Sequence, residues 1–332
     1  MSLILAIESS CDDTSAAVLE DSNILSNVVY SQSAHKIYGG VVPELASREH
    51  IQKITQVIDH ALTEAEISKN DLNAIAVTKG PGLLGSLIVG VGFAKSLSQS
   101  LEIPLIEVQH THAHVLSNLS NDNAPSFPFL CLTVSGGHTQ IVKVSSTSIL
   151  EILGKTIDDA AGEAFDKAGK MLNLPYPAGP EIDKLAKLGT PKFEFSRSKV
   201  GGYDYSFSGF KTSVLYFLRD QLKLNDQFIA ENLNDLCASI QANICEVLMA
   251  KYEQAALNEG ITELSLAGGV SANSGLRKLF LDTCKKNGWK SYIPTLKLCT
   301  DNAGMIGIAA YYKFLNKEFS DLDLTPDARM QF

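Results

Sequence analysis

The sequence predicts an α/β protein made of two similar lobes, and three observations carry that prediction. A pattern of strand, polar turn, strand, strand and helix occurs twice, about 126 residues apart from Ser9 to Ser135. Three turns rich in glycine or hydroxyl side chains follow apolar runs of strand length. The chain has 332 residues, which suits about two domains of roughly 100–200 residues and a large core without disulfides.

The elements follow in order. Residues 3–7 form a short apolar run that stops at the polar turn Glu8–Ser15; apolar runs at Ala16–Leu19 and Ile24–Tyr30 complete a three-strand meander. Pro43 to about Ala65 is predicted helical, because Pro suits the first turn and Leu45, Ile51, Ile54, Ile58 and Leu62 recur at helical spacing. Ile75–Thr78 reads as a strand, Gly80-Pro81-Gly82 as a loop, Leu83–Leu101 as a helix and Pro104–Val108 as a strand. The pattern then restarts: strands at Phe129–Val134, Gln140–Val144 and Ile149–Leu153, with Ser135-Gly136-Gly137-His138-Thr139 as the turn, and a helix at Asp159–Leu172. Helices are predicted at about Lys211–Leu222 and Asp226–Asn258, a strand at Glu263–Ala267, and helices after Asn273 and Asp301. The expected domains are 1–120, completed by the helix after 301, and 121–300, with an insertion of little regular structure at about 173–210, rich in Pro, Gly and Ser.

Composition narrows the function classes. Apolar residues make up 45% and charged residues 20%, an ordinary globular balance. No apolar run approaches the ~18 residues of a membrane span, and the first eight residues lack a basic n-region, so neither membrane insertion nor export is expected. None of the six cysteines is spaced as CxxC, which points to reduced thiols in a cytoplasm. A net charge of −9 disfavours indiscriminate nucleic-acid binding. Charge is uneven, however. Lys184–Lys223 holds eight basic and three acidic residues with eight aromatics, and a second basic cluster comprises Arg277, Lys278, Lys285, Lys286 and Lys290. Interleaved cations and aromatics can hold phosphates and stack bases; the same pattern also reads as aromatics packing a core beneath surface cations.

Three turns could hold phosphates. Glu8–Ser15 offers hydroxyls, backbone N–H groups and carboxylates. Ser135-Gly136-Gly137 allows a ligand to approach bare backbone, and Ala267–Asn273 follows a strand and opens a helix, where free N–H groups gather. Three such turns on a duplicated lobe resemble the actin–Hsp70–sugar kinase superfamily, whose members bind a nucleotide between two lobes. Neither GxxxxGK[ST] nor GxGxxG after the first strand is present, so the P-loop and dinucleotide readings lose support.

The histidines form the sharpest local signal. As a strand, His110, His112 and His114 would share one face; as a helix, His110 and His114 share a face while His112 turns roughly 200° away. The apolar spacing beyond Ala113 favours a helix start, with His110 and His114 as a metal pair and Asp301 a candidate third ligand at the start of another helix. A zincin-type peptidase would need a base where Thr111 stands, which leaves metallopeptidase chemistry without its general base.

The chain resembles the tRNA N6-adenosine threonylcarbamoyltransferase family, formerly labelled O-sialoglycoprotein endopeptidase, most closely its bacterial form. The matching blocks, between Ile4 and about Gly307, include Ile7–Thr14, Tyr38–Arg48, Gly80–Leu83, His110/Ala113/His114, Val134–Thr139, Asp158–Lys167, Tyr205–Thr212, Ala267–Asn273 and Cys299–Asn302. The resemblance implies transfer of a threonylcarbamoyl group from threonylcarbamoyl-adenylate to N6 of the adenosine 3′ to the anticodon, in tRNAs reading codons that begin with A. It implies one divalent ion, iron or zinc, on His110, His114 and Asp301, and substrate contacts at Thr133, Val134, Ser135, Gly136, Gly137, Asp166, Gly179, Asp183 and Asn273. It also implies a heterodimer with a paralogue that lacks the metal site, and a small P-loop ATPase partner. Two positions depart from the pattern: His112 stands where many relatives have glutamate or another polar residue, and Ala178 replaces a common glycine.

Elementary chemistry agrees with these implications. An ion held by two imidazoles and a carboxylate keeps positions open for substrate oxygens. Asp12 is a candidate to take the N6 proton or to grip substrate, although an aspartate in Cys11-Asp12-Asp13-Thr14 also serves as a turn cap. The 184–223 patch is expected to contact tRNA. The competing classes are a two-lobe small-molecule kinase or ATPase, a scaffold paralogue, which the intact histidine pair opposes, and the metallopeptidase.

Overall fold

The computed structural model describes residues 1–120 and 124–332. In chain order the elements are β1 (Leu3–Glu8), β2 (Asp13–Glu20), β3 (Asn23–Ser31), α1 (Pro43–Glu64), β4 (Ala74–Gly80), α2 (Leu84–Leu101), β5 (Leu105–Gln109) and α3 (His110–Leu116). There follow β6 (Phe129–Val134), β7 (Thr139–Ser146), β8 (Ile149–Lys155), α4 (Ala161–Met171), α5 (Ala178–Ala186), α6 (Ser208–Leu224), α7 (Phe228–Glu259), β9 (Glu263–Ala267), α8 (Ser274–Asn287), β10 (Lys290–Tyr292), α9 (Leu296–Cys299) and α10 (Ala303–Leu315). They fall into two compact units: Met1–Ala124 with Pro294–Phe332, and Pro125–Ile293.

In the first unit the strand order is β3-β2-β1-β4-β5, antiparallel from β1 through β3 and parallel from β1 through β5. In the second it is β10-β9-β6-β7-β8, with β6–β7 and β7–β8 antiparallel and β6–β9 and β9–β10 parallel. The two orders are the same topology, β1 standing for β6 and β5 for β10, which is the duplicated α/β fold the sequence predicts. The central strands are buried through their middles: Ile4–Ile7 and Phe129–Leu132 have no exposed surface. Such near-continuous apolar runs are what a sheet covered on both faces requires.

In the first unit Leu5, Ile7, Ala16, Val18, Ile75 and Val77 pack with Ile54, Val57, Ile58 and Val91 of α1 and α2. Helix α10, apolar and buried from Ala303 to Ala310, packs against β1 and β2. It starts at Asn302, whose side chain accepts the Met305 N–H at 3.0 Å, an N-cap that fixes where Asp301 leaves the helix. In the second unit the 32-residue α7 lies among β6, β9, α5 and α8 and ends at Gly260 in the left-handed region.

Local differences from the sequence reading have physical causes. The stretch 173–210 is irregular at 187–207 but contains α5, whose flanking prolines mask a short amphipathic helix that buries Ala178, Ile182 and Ala186. Helix α6 begins at Ser208, three residues before the predicted Lys211. The three-residue β10 went unpredicted because Lys290-Ser291-Tyr292 carries no apolar alternation. The predicted lobe boundary at 120/121 falls at residues 121–123, outside the described residues. At the far end, residues 294–300 belong to the first unit rather than the second, with Leu298 and Cys299 buried there.

One buried hydroxyl ties the strands of the second unit together. Tyr252 Oη accepts the Ser265 N–H at 3.1 Å and lies 2.8 Å from Leu130 O and 2.9 Å from Ser265 O, to either of which it can donate its proton. Removing the hydroxyl leaves backbone groups of β6 and β9 short of a partner, so Tyr252→Phe should lower unfolding stability by about 1–2 kcal/mol, read as a lower urea midpoint at unchanged slope.

Candidate functional site

In the first unit the polar residues converge at the ends of the parallel strands. β5 runs directly into α3, whose N-cap is Gln109: its side chain accepts the His112 N–H at 2.6 Å. Helical spacing puts the rings of His110 and His114 together, with centroids 4.8 Å apart. Asp301, just before α10, reaches both: its Oδ1 lies 3.5 Å from His110 Nε2 and 3.1 Å from His114 Nε2. One donor atom from each residue lies within 4.8 Å of the others. Around a zinc-sized ion with bonds of about 2.0–2.2 Å, tetrahedral donors sit roughly 3.3 Å apart, so this donor set fits a divalent metal ion.

Glu8 completes the arrangement. It ends β1 with 1% exposure, accepts from Thr78 Oγ1 at 2.6 Å and from the Ser10 N–H, and sits 3.0 Å from His110 Nδ1. Ser10 Oγ is 3.2 Å from the same nitrogen. With Nδ1 engaged, Nε2 is the His110 atom that faces Asp301, which is how a carboxylate behind a metal-binding histidine sets its tautomer. Burial alone would raise the Glu8 and Asp301 carboxyls, but the His110 charge and its hydrogen bonds outweigh burial and hold both below the usual range, Asp301 well below. Burial likewise opposes the charge on His110, and Glu8 and Asp301 overcome it, raising its pKa well above the ordinary value.

Asp12 lies half-buried at the same turn. Its neighbour Asp13 has its carboxyl pushed up to about 7, first by burial, against a hydrogen bond from Ser31 and with the charges of Asp301 and Asp12 adding to the rise. The turn is braced by His50, whose Nδ1 is 2.7 Å from Thr14 Oγ1 and whose Nε2 is 3.0 Å from Cys11 O.

The second unit brings its predicted residues into one chain of contacts. Thr133 and Val134 end β6, and Gly136 and Gly137 are exposed with open space where a side chain would stand. The Ser135 N–H donates to His138 O at 2.8 Å, and Ser135 O accepts the Gly162 N–H at 3.2 Å, seating α4 on the turn. A Cβ on Gly268, at φ +83°, would fall 2.4 Å from Val134 O, so only glycine lets the two turns touch. Asp166 accepts the Ala178 N–H at 2.7 Å beside Gly179; burial raises its carboxyl against that bond. Asp183 accepts from Ser274 N and Oγ at 3.0 and 2.6 Å, next to Asn273. Asn273 caps α8 through the Leu276 N–H and donates to Gln241 Oε1 at 2.7 Å. Gln241 is a polar group that sequence reasoning missed, and Glu8 and Asp13 were read only as carboxylates of a phosphate-holding turn, not as partners of the histidine site. For Glu8 a signal existed, since it is a carboxylate at the end of an otherwise apolar strand.

The base-stacking reading of 184–223 does not survive the structure. Phe195, Tyr205, Phe207 and Phe210 are buried in the core, and Phe193 and Phe217 pack against them. Tyr216 is 52% exposed, with the Arg219 guanidinium 4.7 Å from its ring centroid. Lys192, Arg197 and Lys211 pair with Asp235, Glu246 and Asp159, carboxylates outside the stretch, so much of its local excess of charge is neutralised.

Fold and family follow from comparison with known proteins. The ROK hexokinase from Thermus thermophilus superposes with a TM-score of 0.50 at 14% identity, over 95% of this chain and 99% of that one. Component A of the Acidaminococcus fermentans (R)-2-hydroxyglutaryl-CoA dehydratase gives 0.55 at 15% identity, over 96% and 100%. The protein therefore has the duplicated fold of the actin–Hsp70–sugar kinase superfamily. A family model described as tRNA N6-adenosine threonylcarbamoyltransferase matches residues 23–308. The tRNA N6-adenosine threonylcarbamoyltransferase of Riemerella anatipestifer is 57% identical over 334 residues, which cover 99% of this chain and 98% of that protein. The chain belongs to this family of tRNA-modifying transferases, and the kinase and metallopeptidase readings are not favoured. Among the described residues, no helix is long and apolar enough to cross a membrane.

The Asp13 environment makes a testable statement about stability. The native carboxyl, at about 7, keeps a proton that an unfolded aspartate near 3.9 releases, so its contribution favours folding at low pH and is lost as pH rises through about 4 to 7. Asp13→Asn removes the titration. The stability of the variant relative to wild type, measured by urea unfolding of metal-free protein, should therefore shift in the variant's favour from pH 5 to pH 8.

Proposed function

We propose that the protein transfers a threonylcarbamoyl group from threonylcarbamoyl-adenylate to N6 of the adenosine 3′ to the anticodon, in tRNAs reading codons that begin with A, and that His110, His114 and Asp301 hold an iron or zinc ion. The observation that carries the metal assignment is the spacing of the three donors, with Glu8 behind His110. When bound, such an ion supplies Lewis-acid polarisation of a carbonyl oxygen.

In the transfer, N6 attacks the carbamoyl carbonyl carbon, a C–N bond forms, and the C–O bond to the adenylate phosphate breaks to release AMP. The proton leaving N6 needs an acceptor, and the Asp12–Asp13 pair is our assignment for it. Asp12 is our candidate to take the proton or to grip the amine, and Asp13 beside it, pushed up to about 7 first by burial, would exchange a proton near neutral pH. Grip on the adenylate is assigned to the second unit. The open backbone of Gly136 and Gly137 suits a phosphate, and Thr133, Val134, Ser135, Asp166, Gly179, Asp183 and Asn273 supply the remaining contacts. Asp166 and Asp183 do so indirectly as well, by seating α5 and α8. The family resemblance supports tRNA as acceptor, a paralogue lacking the metal site and a small P-loop ATPase as partners, and a cytoplasmic setting.

A reconstituted assay tests this reading, with the protein, its paralogue and ATPase partners, threonylcarbamoyl-adenylate and unmodified tRNA, and the modified nucleoside quantified by mass spectrometry. Wild type should form product, and His110→Ala should lose at least about two orders of magnitude in rate together with its bound metal. Full activity in metal-depleted His110→Ala would remove the metal from the account; absence of product from a folded, metal-loaded complex would remove the transfer itself.

A further inference from the structure

The segment 327–332 is unused by the reaction as described, yet it touches α3, which carries two of the three donors, and the loop after β4. The Asp327 N–H donates to Lys79 O at 2.8 Å, and Ala328 O accepts the Gly82 N–H at 3.3 Å, so the segment is pinned along the end of β4 and the loop after it. Its path explains a glycine: a Cβ on Gly80 would lie 1.8 Å from Asp327 O and 3.2 Å from Met330 Cβ. That loop bears in turn on the triad. Ser10 O accepts the Leu83 N–H at 2.7 Å, and Ser10 Oγ meets His110 Nδ1 at 3.2 Å.

At the end of the segment, the Phe332 ring packs edge-on against His112, with centroids 4.3 Å apart at 70°. His112 lies between the two donor histidines in sequence, about 200° around the helix from His110. Glu8 and Asp301 therefore hold α3 on its donor side, and Phe332 meets a residue of its other side. A seven-residue helix has little stability of its own and depends on such contacts for its position.

We propose that residues 327–332 form a brace for α3, and that Phe332, acting through His112, is a positioning residue for the His110–His114–Asp301 donor set. The proposal rests on the metal reading given above. Outer contacts that orient metal ligands are commonly worth about 10–100-fold in affinity. The brace also gives His112 a role distinct from ligation, since an aromatic neighbour occupies its ring.

The test uses the 332-residue chain loaded with cobalt(II), whose visible spectrum reports ligand geometry. Affinity is read by chelator competition, and the mobility of residues 111–116 by amide hydrogen exchange of the metal-free protein. Phe332→Ala should weaken cobalt binding about 10-fold, change the visible bands and speed exchange in α3, while Phe332→Tyr should restore all three to near wild type. Wild-type affinity, spectrum and exchange in Phe332→Ala would overturn the brace. Faster exchange with unchanged cobalt affinity and spectrum would overturn its role in positioning the donors. His110→Ala is the control for the underlying reading: cobalt bound equally well by that variant would refute the metal assignment itself, whatever the Phe332 variants do.

Discussion

A carboxylate that ends a buried strand must be compensated in place, because an unpaired buried charge costs several kcal/mol. Glu8 meets that requirement with the Ser10 N–H, the Thr78 hydroxyl and the His110 ring. Each partner comes from a different element: the turn after β1, strand β4 and helix α3. Satisfying one carboxylate thus fixes the turn, the register of β4 and the orientation of the His110 ring together. Asp301 then sits just before a helix buried from Ala303 to Ala310, so packing of that helix helps place it between the two histidines.

The duplicated topology shows how one backbone turn serves two chemistries. Shifted by 126 residues, Glu8-Ser9-Ser10-Cys11 becomes Val134-Ser135-Gly136-Gly137. In the first unit the turn carries a carboxylate and a hydroxyl aimed at a histidine. In the second the same turn is stripped to glycine, with open space where side chains would stand, and Gly268, itself without a Cβ, comes up against Val134 O. In the proposed reading, the first form organises donors for a cation and the second offers backbone to an anion.

Much of this was legible in the sequence, and the exceptions are instructive. Strand and helix periods located nearly every element, because central strands with continuous apolar runs and helices with i, i+4 spacing carry their environment in their composition. The pairing of His110 with His114 was legible for the same reason, since both lie on one helical turn. Glu8 behind His110 was not, because 102 residues separate them and only the sheet brings them together. Phe332 against His112 was hidden likewise. The aromatics of 193–217 were ambiguous in the sequence because interleaving with lysine and arginine looks the same whether the rings stack on a ligand or fill a core. Phe195, Phe207 and Phe210 fill the core.

The central claim is that two imidazoles and one carboxylate, drawn from α3 and the start of α10, make a metal centre free of sulfur. Two cysteines lie close in sequence to its parts, but Cys11 has its thiol pushed up by burial and by Asp12, and Cys299 donates its S–H to the carbonyls of Pro294 and Thr295. X-ray absorption at the metal edge of the loaded protein tests this most directly. The account predicts a first shell of nitrogen and oxygen with the multiple-scattering signature of two imidazoles, reduced in His114→Ala. A sulfur scatterer near 2.3 Å, or a spectrum indifferent to His114, would contradict it.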